Sequence, residues 1–258
     1  MHRATRLMHS LIGAPLTAQR AEATVLTAAS ASPLSAALVA DAGDYFYSAS
    51  ISLLDAMRGL SSGFYSWPTV KCYYSTFYAL RAILAVDGTG VFYIGKKPLL
   101  VEALPGQRPS RTAGQTHEVV LNAFASRKPS HYLLSQNIGL RPPLSWLMDQ
   151  RTRHNYSLPR FVEPEPPAHF QQASNYGVRR LVCEYLSDNG SAYTFDSDHA
   201  MLAYPLAALQ FAATALAAHG FAELADEQQR FIMRESRDSS GKLTPFLGLL
   251  STIYEAVR

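Results

Sequence analysis

Cysteine is scarce. The 258 residues hold two, Cys72 and Cys183. Each lies in an apolar, helix-like stretch with no Cys or His at metal-ligand spacing, which excludes a disulfide framework and a zinc ribbon. Both read as buried thiols kept reduced, so a cytoplasmic setting is expected. Charge is also sparse, at 17% of residues against the roughly 25% of ordinary globular chains. A large core or a buried partner interface accounts for that. The net charge of +3 is too small for a global nucleic-acid footprint, so any such footprint must be local. No run of about 18 apolar residues is present, and no membrane span is expected. His9, Ser10 and Pro15 interrupt the short apolar stretch from Leu7 to Leu16, which argues against a signal peptide.

Chemical signatures are missing too. There is no phosphate-cradling Gly-rich loop, no HExxH, no CxxC and no Gly-x-Ser-x-Gly elbow. Asp196, Asp198 and His199 are the nearest approach to a metal set. Their place at a helix start is better explained by capping and the helix dipole. No metal or cofactor is expected.

What is present is helical periodicity. Ser32 followed by Pro33 predicts a helix start, and Leu38, Ala42, Tyr45, Ala49, Leu53 and Ala56 lay one apolar stripe to about Leu60. A second helix is expected from near Ser66 to about Val86, stopped by Asp87, Gly88 and Gly90. Val91 to Ala103 reads as a hairpin or ordered loop. Helices are expected from Thr116 and after Pro143. Beyond them, helical stretches are expected at 173–186, 198–218, 222–234 and 245–257, with a turn or extended piece at 190–196. Four prolines and two glutamates between Pro159 and Pro167 read as a linker. The expected organisation is a disordered or partner-ordered arm (1–32), a helical core (33–158), a Pro-rich linker (159–172) and a C-terminal helical extension packing on the core (173–258).

Three groups carry candidate chemistry. Arg151, Arg153, His154, Asn155 and Tyr156 gather three cationic or titratable groups at a helix end. Arg forks suit phosphate, and a histidine suits proton transfer near neutral pH. Dipole complementation at a helix C-terminus is the ordinary role of such residues. Arg81 follows the aromatic stripe Tyr73, Tyr74, Phe77 and Tyr78. If buried it needs an anionic or carbonyl partner, and otherwise it snorkels to solvent. His117 follows Arg108 and Arg111 at a helix mouth, where an anion could sit, although an exposed loop histidine has the same pattern.

In this order, these segments resemble the HEPN domain superfamily over about residues 33–156. Cys72-Tyr-Tyr-Ser-Thr-Phe-Tyr-Ala-Leu-Arg-Ala-Ile-Leu84 is similar to the "aYYaxFhaxRAxL" helix of small bacterial members. Thr116-His-Glu-Val-Val-Leu-Asn-Ala-Phe124 is similar to the helix that follows it, and Arg151-Thr-Arg-His-Asn-Tyr156 to the closing Arg-containing stretch. The resemblance implies a mostly α, HEPN-like bundle carrying a β-hairpin insertion. It also implies a role in a bacterial defence or toxin-type system, by binding RNA or a protein partner, with a homodimer as the usual assembly. Many members are metal-independent endoribonucleases with an Arg-x4-6-His motif. Here Arg151 and His154 have two residues between them, a degenerate form, whereas Arg111 and His117 have five. On this resemblance, His154 would act as acid or base, Arg151 and Arg153 would stabilise the phosphate, and Tyr156 would assist. Arg81, Arg111, His117 and Asn155 would contact RNA or phosphate. The competing expectation is a non-catalytic subunit of a larger complex, favoured by the low charge, the disordered-looking N-terminal arm and the apolar Ala200–Ala218 stretch. A weaker one is nucleotide binding through Arg81 and His117.

Overall fold

The computed structural model describes residues 1–114, 116–188, 192–221 and 224–255. The chain is mostly helical with a small antiparallel sheet. The helices are α1 (Arg3–Ile12), α2 (Ala18–Ala23), α3 (Ala28–Ser61), α4 (Ser66–Val86), α5 (Thr116–Arg127), α6 (Pro143–Thr152), α7 (Gln171–Tyr176), α8 (Val178–Ser187), α9 (Ala200–Ala218), α10 (Asp226–Glu235) and α11 (Thr244–Glu255). Between α4 and α5, β1 (Thr89–Ile94) and β2 (Lys97–Glu102) form the expected hairpin, extended by β3 (Ser110–Arg111). A two-residue hairpin, β4 (Arg237–Asp238) and β5 (Gly241–Lys242), precedes α11 and was not foreseen. The expected helix start at residue 222 and the expected turn start at residue 190 lie outside the described residues, as does the expected helix end at residue 257.

The antiparallel pair α3 and α4 is the centre, and α9 lies across both. Apolar residues at three- and four-residue steps line α3, and Leu34, Leu38, Ala42, Phe46, Ala49 and Leu53 are all buried. α9 is apolar on every side and is long and apolar enough to cross a membrane. Here it is a core helix, largely buried among α3, α4, α8 and α11. Tyr204 on α9 is fully enclosed and donates its hydroxyl to the Leu133 carbonyl at 2.5 Å.

The N-terminal segment is not a disordered arm. α1 buries Ala4, Met8 and Ile12, one stripe at i, i+4 and i+8. Its first turn is capped from a distance: Asp41 of α3, 1% exposed, accepts from the Arg3 and Ala4 backbone N–H groups at 2.8 and 2.9 Å. Leu26 exchanges backbone hydrogen bonds with the 106–107 loop. Helix α3 also begins earlier than Pro33. Thr27 and Ser30 form a reciprocal capping box, which sets the start at Ala28 and leaves Pro33 inside the helix. The Pro-rich segment does not hang between two blocks. Glu163 reaches the start of α4 and accepts from the backbone N–H of Tyr65 and Ser66, both at 2.7 Å, and from the Ser66 hydroxyl at 2.8 Å. The helix expected at 173–186 is broken at Gly177, whose φ of 84° lies in the left-handed region and separates α7 from α8.

Candidate functional site

The aromatic face of α4 lies beside α6 and the turn that follows it. Residues Arg153–Ser157 continue α6 as one π-helical turn. A π turn bonds residues five apart, so it brings positions i and i+5 to the same side, which an α-helix does not. Arg151 and Tyr156 therefore face each other. The Arg151 guanidinium carbon lies 5.2 Å from the Tyr156 ring centre, 5.7 Å from that of Tyr73 and 5.8 Å from that of Tyr74. Its Nη2 donates weakly to the hydroxyls of Tyr74 and Tyr156, at 3.4 and 3.5 Å. Among the described residues no carboxylate forms an ion pair with it.

His117, in the first turn of α5, completes the cluster. Its ring lies 4.8 to 5.7 Å from the rings of Phe77, Tyr74 and Tyr73. Burial and the adjacent Arg151 charge both hold the His117 pKa below its usual value, so the ring is neutral at pH 7. Burial also raises the Tyr73 phenol, which stays protonated. Three polar atoms here are buried without a partner: Arg151 Nε, Tyr73 Oη and His117 Nδ1. Three orphans in one cluster is unusual, because buried polar groups are nearly always hydrogen-bonded. The cluster combines an unneutralised guanidinium, aromatic faces and unfilled donors.

Other expected residues lie elsewhere. His154 is three positions from Arg151 and points to the far side of the turn. It is buried, its Nδ1–H donates to the Gln150 carbonyl at 2.9 Å, and its ring packs on His169. It does not join Arg151, so the expected Arg–His catalytic pairing within this segment is not formed. Arg153, exposed, faces the same far side. Asn155 lies in the π turn, half-buried, and adds no side-chain hydrogen bond among the described residues. Arg81 stacks on the Tyr45 ring at 4.3 Å, toward the other end of α4 and apart from the Arg151 cluster. Arg111, on β3, pairs with Glu22 at 2.8 Å. At the start of α9, Asp196 caps the turn with its carbonyl and side chain, and His199 Nδ1 bonds the Tyr185 hydroxyl at 2.7 Å. Among the described residues no group of three His, Cys, Asp or Glu could hold a metal.

Sequence reasoning missed His169, Trp146 and Glu163. Two of them sit in the segment read as a linker. Pro-flanked residues carry no periodicity from which burial can be read, so only the tertiary contacts reveal them.

No protein-family model, no curated protein and no solved structure matches this chain.

Proposed function

We propose that this chain is a HEPN-type helical protein of a bacterial defence or toxin-type system, and that it binds single-stranded RNA at the Arg151 cluster. The observation that carries the reading is the unneutralised Arg151 guanidinium among the rings of Tyr73, Tyr74 and Tyr156. A guanidinium without a carboxylate suits a phosphate. An exposed aromatic face suits an unstacked base, and Tyr156 is 69% exposed, whereas Tyr73 is buried and backs the guanidinium from within the core. Kinship to HEPN proteins is supported by the packing of the Tyr-rich α4 against the 151–156 segment and α5. That packing unites the three stretches on which the resemblance rests.

If the protein cleaves RNA, the geometry favours His117 over His154 as the proton acceptor. His117 is neutral, unpartnered at Nδ1 and beside Arg151. For the rival reading, a structural subunit, the apolar α9 offers no free docking face, because most of it is buried within this chain's own core.

The test is fluorescence polarisation with a labelled single-stranded RNA. Arg151→Ala should weaken binding at least tenfold, and Arg151→Lys should restore part of it. The wild-type affinity should fall with added salt. Binding by Arg151→Ala equal to wild type would overturn the reading. Incubating the RNA with protein and a chelator then separates binding alone from metal-independent cleavage.

A further inference from the structure

The opposite side of the π turn carries a second feature, independent of the Arg151 cluster. A cleft of about 590 Å³ opens between α6, the 158–168 segment and the residues before α9. Its walls include Trp146, Arg153, His154, Arg160, His169 and Asp198. The volume lies within the range of small-molecule sites, roughly 300 to 1,000 Å³. The outer wall is fixed to α4, because Glu163 holds the Tyr65 and Ser66 amides and the Val162 N–H donates to the Ser66 hydroxyl at 3.1 Å.

The hydrogen-bond network assigns both imidazole tautomers. A carbonyl can only accept, so the Gln150 carbonyl at 2.9 Å puts the His154 proton on Nδ1 and leaves Nε2 as an acceptor. The Thr69 hydroxyl donates to the Tyr65 carbonyl at 2.9 Å. Its oxygen must then accept from His169 Nε2–H, 3.1 Å away, which leaves His169 Nδ1 as an acceptor. Burial drives both pKa values down, that of His169 to about 3, so both rings are neutral at pH 7. The two rings meet edge-on at 5.2 Å, and Trp146 meets His169 at 6.2 Å.

The cleft thus joins two kinds of recognition. Arg153 and Arg160 bring two guanidiniums with no ion-pair partner among the described residues. The imidazoles and the carboxylates of Glu165 and Asp198 bring hydrogen-bond acceptors around an indole. A bare inorganic anion would leave the indole and the acceptors unused. An apolar ligand would leave the guanidiniums unused.

We propose that this cleft binds a nucleoside 5′-monophosphate whose base bears an amino group. The phosphate is held by Arg153 and Arg160, the base lies against Trp146, and its N–H groups donate to the imidazoles and the rim carboxylates. A free nucleotide and the 5′-phosphorylated end of an RNA share this chemistry.

Fluorescence tests it, because the protein has two tryptophans, Trp67 and Trp146. In a full-length Trp67→Phe background the emission reports Trp146 alone. AMP, GMP and CMP should quench it saturably. UMP and unphosphorylated nucleosides should bind at least tenfold more weakly. An Arg153→Ala/Arg160→Ala variant should also bind at least tenfold more weakly while keeping its melting temperature, since both residues are exposed. Arg151→Ala should still bind nucleotide, so failure here and failure of the RNA reading are separable. A 5′-phosphorylated dinucleotide distinguishes the two sources: binding equal to the mononucleotide supports an RNA end, and exclusion supports a free nucleotide. No quenching by any nucleotide at millimolar concentration, or unchanged binding by the double Arg variant, would overturn the proposal.

Discussion

Glu163 offers the most direct test of how this fold is held. Its carboxylate replaces a local N-cap for α4, the helix that carries the aromatic face, and it arrives from almost a hundred residues away. Oε1 accepts from two backbone N–H groups at 2.7 Å, and Oε2 accepts from the Ser66 hydroxyl at 2.8 Å. Tyr65 and Ser66 are buried, so Glu163→Ala leaves two enclosed N–H donors without a partner. Each such loss costs about 1 to 3 kcal/mol, and partial entry of water into the vacated space reduces the sum to about 2 to 4 kcal/mol. Glu163→Gln keeps an oxygen for the amides and loses the charge at the helix start, about 1 kcal/mol. For a chain of this size that corresponds to a melting temperature lower by about 2 to 4 °C for glutamine and correspondingly more for alanine.

The glutamine variant also has a pH signature. Burial by itself would raise the Glu163 pKa, but the hydrogen bonds from Tyr65 and Ser66 outweigh it and hold the carboxyl below its ordinary 4.5. A carboxyl with a depressed folded-state pKa stabilises fully above its unfolded value. That stabilisation is lost as pH falls through the folded value. The gap between wild type and Glu163→Gln, measured by thermal melts followed by circular dichroism, should be constant from pH 6 to 8. It should shrink below pH 4.5 and close once the wild-type carboxyl is protonated. A gap that stays the same at pH 3, or a glutamine variant as stable as wild type at pH 7, would refute the capping argument.

Asp41→Ala should release α1 without unfolding the rest. It removes the acceptor of the Arg3 and Ala4 amides, a loss of about 1 to 3 kcal/mol confined to the first helix. Amide exchange in residues 3–12 should then accelerate while α9 stays protected. Cys72 is buried and its thiol is pushed well above the usual range, whereas Cys183 is partly exposed. A thiol reagent on the native protein should therefore modify at most Cys183, with Cys72 reacting only on unfolding; fast native labelling of Cys72 would contradict its place in the core.

Much of the helical architecture was legible in the chain. Repeats of apolar residues at three and four positions, together with proline and glycine stops, mark α3, α4, α5, α6 and α9 by local physics alone. The β-branched and aromatic run before Gly95 marks the hairpin. The same local rules misplace the start of α3, because Ser32-Pro33 is a plausible start and the Thr27–Ser30 pair a better one. They also leave residues 1–32 without structure, because the group that orders α1 is Asp41 on another helix.

The site divides in the same way. Residue types alone single out Arg151, Tyr156 and His117 as candidates for anion chemistry, and the aromatic stripe of α4 is visible by its spacing. Which of them meet was decided by the π turn after α6, which turns Arg151 and Tyr156 to one side and His154 to the other. Short-range periodicity encodes which face of a helix is apolar. The partner of a long-range cap, the backbone register at a helix end and the burial of a Pro-flanked histidine depend on contacts between distant segments, and these exist only once the chain has packed.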